Sequence, residues 1–371
     1  MTAKRIILLY ISNISGHRSA AMAIEKALKI ISPQTEILSI NAFNYTNPIT
    51  EKIINKIYMG VIQKAPQVWD YLYDNPAILK KIKKIKETVN KFNAPKFKGL
   101  FDKFQPDVVA CTQAFPCGMV ADFKKNYGSK LKLIAVLTDY VPHSYWIYDA
   151  VDYYIAPSEE VKIRLVKKGV APEKIKSLGI PFDSKFNQNI KRNEISEKLK
   201  LNSNLPTVLI MGGGHGLGPM KIIIKSLERV KIELQEIIIT GANKKLYNSL
   251  KEKVKKYKKK ILVFGYADNI NELMGISDII ITKPGGITTA EALTKRLPMI
   301  IVDPIPGQEA NNARYLTEKG AAIQIDAPGE VYLTIEDLLK DSVKLMRMRE
   351  AAERISKPNS SLDIAKLILS I

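Results

Sequence analysis

The sequence predicts an α/β protein made of two doubly wound, Rossmann-like parallel-sheet domains in tandem, and three observations carry that expectation. Arg5–Leu28 (RIILLYISNISGHRSAAMAIEKAL) passes from an apolar run through a glycine-containing loop into an alanine-rich helix, and Thr207–Val230 (TVLIMGGGHGLGPMKIIIKSLERV) repeats the plan. Later in each half, Asp107-Val108-Val109-Ala110 and Asp278–Ile281 again lead through a Pro/Gly turn into a helix. The stretch 183–204 is polar and lacks a β run. Repeated strand–loop–helix units give parallel sheets covered by helices on both faces. The expected organisation is an N-terminal domain over 1–182, a linker over 183–204 and a C-terminal domain over 205–355. A final helix within 356–371 is expected to pack back on the N-terminal domain. Ligands of such sheets bind off the carboxyl ends of the strands, here in an expected interdomain cleft.

The composition narrows the partners. With 46% apolar and 25% charged residues, the 371-residue chain is an ordinary globular protein, large enough for about two domains. Its net charge of +20 is unusual and favours an anionic partner, such as a membrane surface with acidic lipids. Cys111 and Cys117 have neither zinc-site nor disulfide-framework spacing, which fits a reducing cytoplasm. No apolar run approaches the roughly 20 residues needed to span a bilayer. The expectation is a cytoplasmic protein, peripheral on the inner face of the cell membrane.

In chain order, the first candidate is His17, which follows Gly16 where the first loop enters its helix. A helix start disfavours imidazolium, so this ring is expected to be neutral near pH 7 and able to take a proton, or else to serve only as a cap of the helix or a bond to the loop. Within the long excursion Phe43–Gly99, Ile78, Ile82, Ile85, Val89 and Phe92 recur at helical spacing among Lys80, Lys81, Lys83, Lys84 and Lys86. Tyr58, Trp69, Tyr71 and Tyr73 precede them, a pattern that suits the headgroup layer of an anionic membrane or a helix with a solvated lysine face. Asp139 ends the apolar strand Leu133–Leu137 and can serve as a base, orient His17 or His143, or brace its loop. Lys251–Lys260 (KEKVKKYKKK) follows Leu246, Leu250, Val254 and Tyr257 and reads as a surface helix. No nucleic-acid-binding motif accompanies either lysine run, so no nucleic-acid partner is expected.

Two glycine-rich loops complete the pattern. The glycines of Gly212-Gly213-Gly214-His215-Gly216 bring backbone N–H groups near a phosphate, with His215 as a spacer. The β-branched run Ile279–Ile281 ends in Thr282-Lys283-Pro284-Gly285-Gly286, and Thr288-Thr289 then opens a helix. Its N–H groups attract a phosphate, with Thr288, Thr289 and the Gly285-Gly286 turn suited to a diphosphate. The buried strand Met299–Val302 leads to Gln308-Glu309, a pair suited to hydroxyls, so the whole suggests a sugar linked to a diphosphate. The sequence contains no nucleophile elbow, Walker loop, zinc-spaced histidine pair or Asp-x-Asp pair, so no metal is expected.

The motifs together resemble one family. GHRSAAMAI (16–24), TDYVPHSYW (138–146), MGGGHG (211–216), FGYADNINELMGISDIIITKPGGITTAEAL (264–293) and PGQEANNA (306–313) are similar to the GT-B glycosyltransferases that build glycolipids on diacylglycerol. These are the monogalactosyldiacylglycerol synthases and the bacterial processive diacylglycerol glucosyltransferases. A more distant resemblance is to the N-acetylglucosaminyltransferase of the lipid-linked peptidoglycan precursor. Where the family has a glycine two before Gly16, this chain has Ile14. The resemblance implies a metal-independent, inverting transfer of a hexose from UDP-glucose or UDP-galactose to 1,2-diacylglycerol, with no cofactor besides the donor substrate. It places the N-terminal domain toward the acceptor and the membrane, and the UDP-sugar on the C-terminal domain. Gly265 and Tyr266 would flank the uracil and Glu291 would hold the ribose. Gly285, Gly286, Thr288 and Thr289 would surround the diphosphate. Gln308, Glu309 and Asn312 would sit at the sugar. His17 and Asp139 would be the candidates to deprotonate the acceptor. Rival expectations are a polyprenyl-linked sugar as acceptor, a UDP-sugar epimerase and a non-catalytic UDP-sugar sensor at the membrane.

Overall fold

All the strand pairs of the computed structural model, which describes residues 3–46 and 96–371, are parallel. The first sheet contains β1 (Arg5–Tyr10), β2 (Glu36–Asn41), β3 (Val108–Cys111), β4 (Lys132–Val136), β5 (Tyr153–Ile155) and β6 (Ile175–Lys176). The second contains β7 (Thr207–Met211), β8 (Gln235–Ile239), β9 (Lys260–Phe264), β10 (Ile279–Thr282), β11 (Met299–Val302) and β12 (Ala322–Ile325). Their strand orders are β2-β1-β3-β4-β5-β6 and β12-β11-β10-β7-β8-β9. Each is a doubly wound sheet, and each has one point where the chain's direction of progress across the sheet reverses. That point lies between β1 and β3 in the first sheet and between β7 and β10 in the second. Loops leaving the two strands on either side of it diverge and leave a crevice, where such sheets bind ligands.

The described residues fall into two compact units. One groups 1–184 with Ile305–Gln308 and Asn359–Ile371, the other Lys185–Pro304 with Glu309–Pro358. In the N-terminal unit, alternate residues of β1 face opposite sides of the sheet, as the strand period requires. Ile6, Leu8 and Tyr10 pack with Ile24 and Leu28 of α1 (Gly16–Ile31), whereas Ile7 and Leu9 meet Val120 and Phe123 of α2 (Ala114–Tyr127). In the C-terminal unit, Val208, Ile210, Ile279 and Ile281 cover Ile223, Ile224 and Leu227 of α3 (Met220–Leu227). These continuous apolar runs are what a parallel strand buried on both faces needs.

The polar stretch 183–204 contains a short helix, Arg192–Lys198, with Ile195 buried. The Arg192 guanidinium binds both oxygens of Asp278, at 3.0 and 2.7 Å, and Asp278 Oδ2 also accepts from the Thr207 N–H at 2.9 Å. That network anchors the segment to the starts of β7 and β10. The lysine-rich helix expected between Phe43 and Gly99 lies outside the described residues. The second lysine run is helical only at its start: Lys251–Lys253 end the surface helix α4 (Lys244–Lys253), a short 3-10 turn follows over Val254–Lys256, and Lys260 already opens β9. Leu250 is buried, Leu246, Val254 and Tyr257 pack on the core, and Lys251, Lys255 and Lys256 are exposed.

Candidate active site

In the N-terminal unit the candidate residues lie where β1 and β3 end side by side. Ser12 takes a left-handed conformation (φ 61°) and turns the chain off β1. Ser15 caps α1, with its Oγ accepting from the Arg18 N–H at 3.2 Å and donating to the Ile11 carbonyl at 2.7 Å. This holds His17 in the first turn. Its Nδ1 lies 2.8 Å from the Thr112 carbonyl and 3.2 Å from Thr138 Oγ1, while Thr112 Oγ1 donates to the His17 carbonyl at 2.8 Å. A carbonyl oxygen only accepts, so Nδ1 carries the ring proton and Nε2 keeps the lone pair.

Electrostatics set the charge of this imidazole. Loss of water around the ring pulls its pKa below the ordinary 6.5, and the Asp139 carboxylate and the Thr112 carbonyl only partly oppose that. The ring is therefore neutral at pH 7, while a proton arriving on it gains from the Asp139 charge. Segment Ile305–Gln308 groups with this same unit, and Gln308 Nε2 donates to Asp139 Oδ2 at 2.8 Å. His143 is buried, with Tyr145 and Trp146 at ring distances of 5.5 and 6.0 Å, so it sits among aromatics.

In the C-terminal unit, the β7 and β10 loops flank the second reversal point. Some glycines there are required by the fold. A Cβ on Gly212 would sit 2.5 Å from the Leu217 carbonyl oxygen, and Gly216 has φ 57° with Thr240 backbone against it. Gly213 (φ 67°) faces open space and Gly214 is exposed, with its carbonyl accepting from the Ala242 N–H at 2.9 Å. Gly285 is a different case. Its φ is an ordinary −68°, and no heavy atom lies within 4 Å of where its Cβ would be. The fold has no need of glycine at 285, so the missing side chain keeps space clear. That space fronts α5 (Gly286–Thr294), which starts without a side-chain cap, and its first-turn N–H groups have no acceptor within the helix.

The other expected site residues of this unit are found in different states. Thr288 is half-buried, but Thr289 is fully buried and its Oγ1 donates to the Gly286 carbonyl at 2.9 Å, so that hydroxyl is occupied inside the helix. Glu291 and Glu309 are half-buried. Asn312, on α6 (Gln308–Glu318), has no exposed surface and donates to the Pro284 carbonyl at 3.0 Å, so it braces the turn. Tyr266 is 71% exposed beside Gly265, whose Cβ would meet only the Gly241 oxygen at 3.9 Å. His215 is exposed. The sequence reading gave no role to Lys283, yet its side chain is only 13% exposed and stands among these residues. The available signal was a cation placed directly before Pro-Gly-Gly at a strand end.

Comparison with known proteins identifies the family. Residues 17–182 match the monogalactosyldiacylglycerol (MGDG) synthase model, and residues 207–368 match the C-terminal domain of glycosyltransferase family 28. A processive diacylglycerol beta-glucosyltransferase of Bacillus cereus is 33% identical over 369 residues, covering 99% of this chain and 93% of its own. The chain is a glycosyltransferase of the MGDG synthase family. A relative of the same description from Bacillus mycoides is 32% identical over 369 residues, with the same coverage of both chains. Among solved structures, this glycosyltransferase shares its two-sheet GT-B fold with MurG of Acinetobacter baumannii (TM-score 0.62, 15% identity, 99% and 100% of the two chains). A glycosyltransferase of kitacinnamycin has a TM-score of 0.68 at 11% identity, over 100% and 99%. The Anabaena protein HepE, solved with UDP-glucose, has a TM-score of 0.57 at 14% identity, over 99% and 100%.

Proposed function

We propose that this glycosyltransferase moves a hexose, glucose or galactose, from a UDP-sugar to the free hydroxyl of 1,2-diacylglycerol with inversion at the anomeric carbon, and needs no metal. The observation that carries the donor half is the empty volume at Gly285 in front of an uncapped helix start. Uncapped N–H groups at positive dipole ends suit a diphosphate, and the glycine lets it come close. Full-length similarity to enzymes described as acting on diacylglycerol supports the acceptor, and their description as beta-glucosyltransferases fits inversion of an α-linked donor.

In this reading the titratable groups and the helix dipole divide the work. The acceptor oxygen attacks the anomeric carbon from the side opposite the diphosphate while His17 Nε2 takes its proton. The bond from that carbon to the β-phosphate oxygen breaks, and its electron pair leaves on UDP. Asp139 and the Thr112 carbonyl stabilise the imidazolium, and the start of α5 receives the added phosphate charge. Asp139 acts in this reading as the partner of the base. Glu291 suits the ribose hydroxyls, Tyr266 the uracil, and Gln308 and Glu309 the sugar. The charge of +20 suits an anionic membrane surface as the place of work, and among the described residues no helix is long and apolar enough to cross it.

Incubation of the purified protein with UDP-glucose or UDP-galactose and diacylglycerol vesicles tests the proposal. A β-linked monohexosyl lipid and free UDP are expected without added metal and in the presence of EDTA. Transfer only to a polyprenyl-linked sugar, epimerised donor without acceptor, or donor binding without turnover would each replace this reading with another.

A further inference from the structure

The Lys283 ammonium has an unusual environment for a buried cation. Its backbone is pinned: the Lys283 carbonyl accepts from the Gly285 N–H at 2.9 Å and from Thr282 Oγ1 at 3.1 Å. Its stem passes Gly218, where an added Cβ would lie 3.2 Å from Lys283 Cε. The Nζ atom then stands 3.9 Å from Asp303 Oδ2 and also 3.9 Å from Glu309 Oε2. Both distances exceed the roughly 2.7–2.9 Å of a charge-assisted hydrogen bond. Among the described residues Nζ donates no hydrogen bond, although the side chain is only 13% exposed. A lysine whose task was to fasten two loops would close onto one carboxylate. Here the three N–H donors of a largely enclosed side chain make no hydrogen bond among the described residues, directly before the turn that leads into the uncapped helix.

We infer that Lys283 is the side-chain counter-ion of the donor's β-phosphate and stays paired with it as UDP departs. This rests on the UDP-sugar reading and adds to it a charge that backbone dipoles alone do not supply. The positions agree with that task. Lys283 follows β10, on one side of the reversal point, and its stem is lodged against the loop after β7, on the other. A phosphate at the N–H groups of the α5 start would lie at the same turn that Lys283 opens, two residues before Gly285. Transfer breaks the bond between the anomeric carbon and the β-phosphate oxygen, which raises the negative charge on that phosphate by one. A fixed ammonium there gains most in the transition state, as a divalent cation would. Asp303 and Glu309 keep the ammonium from standing as an uncompensated buried charge.

The test is calorimetric titration of the full chain and its Lys283→Met and Lys283→Arg variants with UDP, UMP and UDP-glucose, alongside turnover. Lys283→Met is expected to weaken UDP by about 10- to 100-fold, the range of a charged hydrogen bond, and to leave UMP within about twofold, since UMP lacks the β-phosphate. Its kcat should fall further than donor affinity does, and Lys283→Arg should recover most of both. An unchanged UDP-to-UMP preference in Lys283→Met, in a wild type that prefers UDP, would overturn this assignment alone. Normal UDP affinity with weakened UDP-glucose would also overturn it, because Lys283 would then act only through Glu309. A wild type with no affinity for UDP would remove the donor reading and this one with it. If Lys283→Met melts early, Lys283→Gln is read on the same preference.

Discussion

Glu236, at the second position of β8, gives a prediction that can be worked through in numbers. It has no exposed surface, and among the described residues neither of its carboxylate oxygens has a hydrogen-bond partner. Burial is the main cause that pushes its pKa up from 4.5 to about 8; Glu228 pushes the same way and Lys259 opposes. The folded protein therefore keeps this proton up to about pH 8, while the unfolded chain releases it near 4.5. Between those limits the native state binds one more proton than the unfolded state, so stability falls as pH rises, by about 1.4 kcal/mol per pH unit. From pH 4.5 to 7 the loss is about 3 kcal/mol, a large share of the stability of an ordinary domain. Glu236→Gln removes the titration and leaves a constant offset for its own unpaired amide. Urea midpoints of the C-terminal transition, taken for both proteins at pH 5, 6, 7 and 8, isolate the difference because all other groups cancel. The variant should gain on the wild type steadily with pH, up to about pH 8. A gap that is the same at pH 5 and pH 8 would refute the neutral-acid reasoning.

Other perturbations address the site and the scaffold. Gly285→Ala should melt as the wild type does, since its Cβ meets nothing within 4 Å, yet lose about tenfold or more in UDP affinity, measured by titration. Gly212→Ala, in contact with the Leu217 backbone, should lower the melting temperature instead. His17→Ala should bind donor normally and lose nearly all turnover, consistent with the roughly 100- to 10,000-fold of general-base catalysis. The wild-type kcat/KM should fall toward acid with a midpoint below 6.5, because burial lowers the His17 pKa. Asp139→Asn takes away the charge that raises that pKa, so its acid limb should move to still lower pH while the rate falls. Ile364→Ala, at a position with no exposed surface against α1, should cost about 2–5 kcal/mol of unfolding free energy in the N-terminal unit.

The fold was legible because buried parallel strands are written as uninterrupted apolar runs. Ile279–Ile281 and Met299–Val302 could hardly pack in another way, and glycine marks the turns that follow them. The site was legible where function needs backbone to be bare, as at Gly285, and where a rare residue such as His17 stands at a helix start. It was not legible where a side chain's use depends on a partner far away in sequence. Nothing near Asn312 announces that its amide holds the Pro284 carbonyl, or near Thr289 that its hydroxyl is spent on Gly286. Lys283 was hidden for the same reason. In a chain with 57 lysines and arginines, only its enclosure beside Gly218, Asp303 and Glu309 sets it apart.

The helix α7 (Ser360–Ser370) has a consequence for how the protein is made. Ile364, Ala365 and Ile368 complete the layer over α1, and the hydroxyls of Ser360 and Ser361 donate to the carbonyls of Ile180 and Phe182 at 2.8 and 2.6 Å. A ribosome moving along the message delivers these residues only after the whole second sheet has emerged. The first sheet therefore waits, with an apolar face uncovered, while the second has everything it needs to fold. The half of the enzyme that is synthesised first is the half that matures last.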